Sequence, residues 1–390
     1  MPSPLSAGTA ADAVGTPFPR ITDVRPVLLR APISTPVRMA VGQLHARQTV
    51  LVAIDTDAGL TGIGESWVNY PSWGPADRLA TITHGLRPLL VGEAVDDPVR
   101  LWQTCVDALH RLALQWGAIG PIYQAISGVD LALWDLAGQF AGVPIWRLLG
   151  AAPHTNVPAY ASGLGPDRVA EQAAQAVAEG FPAVKLKVGF GRQVDEANLS
   201  AVRAAIGTPT LLTDANQGWT VAAATAMAPA LAAVQAAWVE EPLPADDEAG
   251  WQALQGVLHL PLAAGENLYG RRQFTRWFDQ GLLDVVQPDV CKCGGITAAR
   301  DILALAAARG LRLAPHYFGS AVGLAATIHL FASLPEHQRL LMEYDINPNP
   351  LREELLTAPL WNGDGTLAVP QGPGLGVTLS KSALTRYRVH

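Results

Sequence analysis

Lys187, Asp214, Glu240, Glu266, Asp289, His316 and Glu343 follow one another at intervals of 27, 26, 26, 23, 27 and 27 residues. Each lies at the end of a short apolar run: AVKLKV, TLLTDAN, AAWVEEP, PLAAGEN, DVVQPD, RLAPHYF and LLMEY. One parallel strand, one helix and two short loops take about 25 residues. The interval therefore counts βα units. It sets the seven groups on one rim, at the carboxyl ends of successive parallel strands, where barrel enzymes carry their chemistry.

Three carboxylates on consecutive strand ends, Asp214, Glu240 and Glu266, would repel one another unless a cation sat among them. An all-oxygen set suits a hard divalent ion, most naturally magnesium. Asn216 and Gln217 follow Asp214 and are placed to orient it or to bind substrate. Lys185 and Lys187 point to the same face of their strand. Mutual repulsion and burial would lower a lysine pKa, making a general base near neutral pH. Asp289 beside His316 would fix the imidazole tautomer and raise its basicity, giving a second base or an acid. Glu343 could serve a developing oxyanion if it were held protonated by a raised pKa. Lys292 either holds a substrate carboxylate or stands as an outward loop charge. Together these parts describe removal of the α-proton of a carboxylate, with the resulting enediolate stabilised by the metal. Two opposed bases permit racemisation or epimerisation; a base plus an acid at a β-hydroxyl permits dehydration.

The elements that must position these groups can be read along the 390 residues. That length favours two domains. Residues 1–19, rich in Ala, Gly, Pro, Ser and Thr, read as a loose tail. Residues 20–68 read as strands, with a hairpin at Asp57-Ala58-Gly59. From about 75 the pattern is helical, and Ile122, Ile126, Val129, Leu133 and Leu136 mark one face of an amphipathic helix. Residues 20–150 are thus an α+β unit. Residues 151–350 hold VPAYASG and the seven runs above, eight strands of a β/α barrel. LREELL reads as a helix, and 351–390 is expected to return to the first domain.

A hydrophobic share of 49% with 16% charged residues suits a buried α/β protein. The net charge of -7 and the lack of a basic stretch argue against nucleic acid and anionic membranes as partners. No uninterrupted apolar run of about 18 residues suggests a membrane span. Cys105, Cys291 and Cys293 make no disulfide framework and suggest a reduced, cytoplasmic setting. On a strand, Cys291 and Cys293 would share a face as small packed side chains.

At these residues the chain resembles the mandelate racemase subgroup of the enolase superfamily. Lys185-Leu186-Lys187 resembles its K-x-K base motif. Asp214-Ala215-Asn216-Gln217, Glu240-Glu241-Pro242 and Gly265-Glu266-Asn267 resemble its three metal-ligand motifs. Pro288 through Gly295, His316 and Glu343 resemble its His–Asp dyad and final glutamate, and LALWDLAGQFAGVPIWRLLG its junction between domains. The likeness runs from roughly residue 20 to 385. It implies a capping α+β domain over a modified TIM-type barrel of seven βα units plus a closing strand. It further implies magnesium, Glu240 rather than Glu241 as ligand, and Lys187 and His316 as bases on opposite faces of a small carboxylate substrate. The implied activity is dehydration of an acid sugar or related 2-hydroxy acid; the alternative is a racemase or epimerase of a hydroxy acid or amino-acid-like carboxylate. Specificity would come from capping loops, here about 32–47 and 68–76, with Arg38, His45, Tyr70 and Trp73 as substrate contacts and Tyr317 and Phe318 shaping the site. A homo-oligomer between dimer and octamer is also implied.

Overall fold

The computed structural model describes residues 17–39 and 42–389. The proposed tail falls largely outside them, as do two residues of the first capping loop. Strands β1 (Ile21–Met39), β2 (Gly42–Thr56) and β3 (Thr61–Trp67) form an antiparallel meander. The turn between β2 and β3 is the one the DAG triplet signalled, with Gly59 at φ 75°. Helical segments follow at Pro75–Leu90, Pro98–Trp116 and Ile119–Ala141.

The last of these helices is buried all round rather than on one face, from Ile122 to Gly138. Ile126, Val129 and Leu133 join the capping core, while Leu131 and Trp134 join the barrel core. Its second face is polar where it meets the barrel. Asp130 accepts from Thr297 N (2.9 Å) and Oγ1 (2.6 Å), and Ser127 Oγ accepts from Gly294 N (2.9 Å). Small residues let this helix approach β3: a methyl on Gly64 would strike the Gly128 carbonyl. Each fully buried aliphatic side chain on the helix contributes about 1.5–3 kcal/mol. The helix is therefore a principal attachment between the two halves.

The second half presents β4 (Asn156–Leu164), β5 (Ala183–Lys187), β6 (Thr210–Asp214), β7 (Ala236–Glu240), β8 (Leu262–Ala264), β9 (Val285–Val286), β10 (Arg312–Leu313) and β11 (Met342–Asp345). They lie in the order β10-β9-β8-β7-β6-β5-β4-β11, every neighbouring pair parallel. A helix follows most of these strands. Between β10 and β11 the ladder is not continuous, and the sheet is barrel-like rather than fully closed. The gap is spanned at Leu313, whose N donates to Gln338 O (3.0 Å) and whose O accepts from Leu340 N (2.8 Å). No helix among the described residues is long and apolar enough to cross a membrane.

The interior is layered by the two-residue period of the strands. Tyr160, Ala183, Leu212, Trp238, Ala263, Val285 and Ala314 form an apolar plug, one residue from each of seven strands or their ends. Two residues further along, the same inward faces carry Ser162, Lys185, Asp214, Glu240, Gly265, Gln287 and His316. The chemistry thus sits directly on a dry floor.

The chain ends by returning to the capping sheet. β12 (Thr366–Ala368) pairs antiparallel with β4, Leu375 N donates to Asp135 (2.7 Å), and Val389 N donates to Leu28 O (3.0 Å).

Candidate active site

Lys187, Asp214 and Glu240 are the last residues of β5, β6 and β7, and Asp214 and Glu240 are direct register partners. Glu266, Asp289 and His316 lie two or three residues beyond their short strands, and Glu343 lies inside β11. All seven converge on one mouth.

Lys185 is fully buried. Its Nζ is 2.7 Å from Glu240 Oε1 and 2.7 Å from Glu343 Oε1. Lys187 Nζ meets Asp214 Oδ2 at 2.5 Å. His316 Nδ1 is 2.8 Å from Asp289 Oδ2, and its Nε2 is 2.7 Å from Glu266 Oε2. Each of the three ligand candidates is therefore paired with a cation-forming side chain. Among the described residues no three His, Cys, Asp or Glu groups are drawn close enough to enclose a cation.

The charge balance nevertheless fits a divalent ion. Asp214, Glu240, Glu241, Glu266, Asp289 and Glu343 are six carboxyl groups; Lys185, Lys187, Lys292 and His316 supply at most four positive charges, all of these groups lying in or beside the cluster. The deficit of two is felt by the carboxyls. Burial, with Asp214 and Glu343 nearby, lifts Glu240 to about 8 although Lys185 opposes it. Burial, with Glu266 and Asp214, lifts Glu241 well above the carboxylate range. Two buried acceptors beside the cluster, Asn216 Oδ1 and Gln287 Oε1, have no partner among the described residues. A hydrated cation would satisfy both the missing charge and these lone pairs.

Backbone shape explains how Asn216 serves Asp214. Asn216 and Gln217 adopt positive φ, 43° and 62°. This turns Asn216 back so that its N donates to Asp214 Oδ1 (2.8 Å) and its Nδ2 to Oδ2 (3.2 Å). Glu241 takes a different path from its neighbour: it accepts from Asn267 Nδ2 (2.9 and 3.0 Å) and Gln217 Nε2 (3.3 Å). Glu241 thus braces two loops while Glu240 faces the mouth.

Three expectations are corrected. Burial and Lys185 do act to lower Lys187, but Asp214 outweighs them and its pKa is raised. Burial likewise acts against the Lys185 ammonium, yet Glu240 and Glu343 hold it well above the ordinary lysine value. Glu343 is not kept protonated: burial raises it, but Lys185 and His316 prevail and bring it to about 2. As a carboxylate it accepts from Ser162 Oγ (2.5 Å) and Tyr317 N (3.1 Å) rather than donating. Burial also disfavours the His316 imidazolium, and Glu266 and Glu343 overcome it, raising its pKa well above the usual histidine value.

Lys292 faces inward. It is buried, 3.1 Å from Asn267 Oδ1, 3.7 Å from Glu266 Oε2 and 4.6 Å from the centre of the Trp67 ring. Cys291 and Cys293 flank it in a buried turn, not on a strand, with free thiols. Among the capping-loop candidates, only Tyr70 approaches the cluster. It packs edge-on to Trp67 (5.0 Å), and burial plus the Glu266 charge raise its phenol pKa. Arg38 instead pairs with Asp167 (2.8 Å) in solvent, His45 is exposed, and Trp73 is 75% exposed. The structure does not bring these three to the acidic cluster. Phe318 packs under Val37, Met39 and Leu44 of the capping hairpin, and Tyr317 is turned away, its hydroxyl donating to Gly319 O (3.0 Å).

Other contributors escaped the sequence reading. Ser162 and Gln287 hold Glu343 and Glu240, and Gln287 Nε2 donates to Glu240 Oε2 at 2.8 Å. The two-residue period from Tyr160 and Val285 would have found both. Trp67 Nε1 (2.8 Å) and Asn69 Nδ2 (2.6 Å) donate to Phe318 O, fixing the capping sheet over the His316 loop. Nothing in their spacing marked them.

Two family models match the chain. Residues 21–150 match the model for the mandelate racemase / muconate lactonizing enzyme N-terminal domain, and residues 168–383 match the enolase C-terminal domain-like model. D-galactarolactone cycloisomerase of Agrobacterium fabrum is 34% identical over 384 residues, covering 95% of this chain and 99% of that protein. Arabinonate dehydratase of Saccharolobus solfataricus is 31% identical, covering 88% and 91%. Among solved structures, a racemase from Streptomyces coelicolor with bound magnesium superposes with a TM-score of 0.85 at 33% identity, covering 95% and 100%.

Proposed function

Because the chain belongs to the mandelate racemase / muconate lactonizing enzyme family of the enolase superfamily, we propose that it removes the α-proton of an acid-sugar carboxylate and then expels the β-oxygen. The observation that carries this reading is the pair of acid–base groups at one mouth: Lys187 on β5 and the Asp289–His316 dyad beyond β9 and β10, either side of Glu343. Relatives named as acid-sugar dehydratases and cycloisomerases support it.

Asp214, Glu240 and Glu266 would hold magnesium, which would supply the positive charge that acidifies a proton α to a carboxylate. The residues of the chain do the rest. Lys187 would gain the proton-accepting state once Asp214 turned to the cation, since that carboxylate is the strongest of the charges that hold its proton. Asp289 accepts from His316 Nδ1, and Nε2, here 2.7 Å from Glu266 Oε2, is the nitrogen that would carry a proton to or from the substrate once Glu266 turned to the cation. Lys185 and Lys292 present buried ammonium groups to the developing negative charge.

Dehydration uses one base at the α-carbon and one acid at the leaving β-hydroxyl. Cycloisomerisation of a sugar lactone or anhydro acid sugar is the same elimination with the leaving oxygen tethered. The 34% identity to a cycloisomerase over nearly its whole length favours keeping that second reading. Racemisation would use both bases at the α-carbon. An acid-sugar panel with magnesium, followed by NMR, separates them. A 2-keto-3-deoxy product supports dehydration. An isomer of unchanged mass supports cycloisomerisation. Deuterium entering recovered substrate without loss of oxygen supports the racemase. Absence of all three across the panel would defeat the proposal.

A further inference from the structure

The capping strand β2 sends Arg47 across the mouth. Arg47 is 1% exposed, its Nη2 lies 2.7 Å from Asp345 Oδ2, its Nε donates to Pro348 O (3.1 Å), and its guanidinium carbon is 4.6 Å from the centre of the Phe318 ring. Asp345 is two residues beyond Glu343, and Phe318 is two residues beyond His316. Asp345 ends β11 and by the strand period faces as Glu343 does, one step nearer the opening, while Phe318 lies in the loop that carries His316, beneath the capping hairpin. Arg47 therefore spans from the capping sheet to the end of β11 beyond Glu343 and to the loop that carries His316.

One edge of that guanidinium is left over. Nη1 is buried and has no hydrogen-bond partner among the described residues. A buried donor without an acceptor costs free energy, more so on a charged group. Two residues of strand rise separate Glu343 from Asp345, about 6.6 Å. That is the reach of a five- or six-carbon chain whose reacting carboxylate lies beside Lys185.

We propose that Arg47 binds the distal carboxylate of a dicarboxylic acid sugar, making the enzyme selective for aldaric acids or their lactones over aldonic acids. This rests on the acid-sugar reading above. A planar fork already clamped by Asp345 and Phe318 offers its free edge in a fixed place, which suits a carboxylate better than a rotating hydroxyl. Arg47 is a specificity residue here; it touches the far end of the substrate and no reacting atom.

The test compares five- and six-carbon aldaric acids with aldonic acids of matching configuration, using the full chain with magnesium. Both kcat/KM and calorimetric dissociation constants are measured for wild type, Arg47→Lys and Arg47→Met. The wild type is expected to favour the diacid. Both variants are expected to cut the diacid-to-monoacid ratio by about 10- to 100-fold, chiefly through KM. Using the ratio removes any general loss from a displaced cap, and the lysine variant keeps the charge without the fork. Equal losses on both acid classes would overturn the inference and leave Arg47 a domain clamp. A wild type that turns over or binds only monoacids would overturn it too, while sparing the reaction reading. Proton exchange on an unrelated carboxylate, with neither acid class bound, would sink both.

Discussion

Side chains at the barrel mouth are buried and cross-linked between strands, whereas those on the capping rim stand mostly in solvent. Lys185 touches carboxylates from β7 and β11, and His316 touches the segments after β8 and β9. On the rim, Trp73 is 75% exposed and Arg38 pairs with Asp167, itself exposed. The first region is fixed by a repeating backbone and by mutual charge, so one substitution there leaves a buried partner unpaired. The second is free to vary at little cost. Arg47, Trp67 and Tyr70 are the exceptions, capping residues that reach the mouth.

This contrast can be broken by mutation. The largest effects belong to the bases: Lys187→Ala and His316→Asn should each lower kcat by about 10²–10⁴-fold, read in steady-state assays on the best substrate. Next come the neighbouring glutamates. Glu241→Gln should weaken magnesium by no more than the roughly 10–100-fold typical of supporting residues. Glu240→Gln should exceed that loss; calorimetric titration giving the reverse order would reassign the ligand.

A third effect is pH-dependent. Glu240 is raised from 4.5 to about 8, so the unfolded chain loses this proton first. Its contribution to stability is complete below pH 4.5 and is lost as pH rises toward 8. His316 and Glu241, also raised, act in the same direction. Glu343, depressed to about 2, contributes stability above pH 4.5 that is lost only in strong acid, so it is silent in this window. Without divalent ion the melting temperature should therefore fall between pH 5 and 8 as far as these groups govern it, and the rise on adding magnesium should be larger at pH 8 than at pH 6. An equal rise at both would argue against these carboxyls as the binding set. The smallest effects belong to the rim: Arg38→Ala and Trp73→Ala should change kcat/KM by less than about twofold and stability by about 0.5 kcal/mol or less.

Legibility followed the same boundary. Regular spacing exposed Asp214, Glu240, Glu266, Asp289, His316 and Glu343, because one βα unit per interval returns each strand end to the same rim. Ionisation states were not legible: the Lys185–Glu343 and Lys187–Asp214 contacts are made between strands, and they reverse the shifts expected from adjacency alone. The helix Ile119–Ala141 hid its second buried face, since Ser127 and Asp130 look polar until the 294–297 turn is laid against them. Loop candidates failed for a further reason. An aromatic or charged residue in a loop carries no period to say which way it faces, so Trp73 and Tyr70 looked alike in sequence and differ in place.

The most direct test follows the α-proton itself. An acid sugar carrying deuterium at C2 is turned over in ordinary water with magnesium, and the label is traced by NMR in product and solvent. Complete loss of deuterium to solvent, slowed in proportion to activity in Lys187→Ala or His316→Asn, is the predicted result. Product that still carries the deuterium, or label loss at the wild-type rate with both residues replaced, would contradict proton abstraction at this mouth.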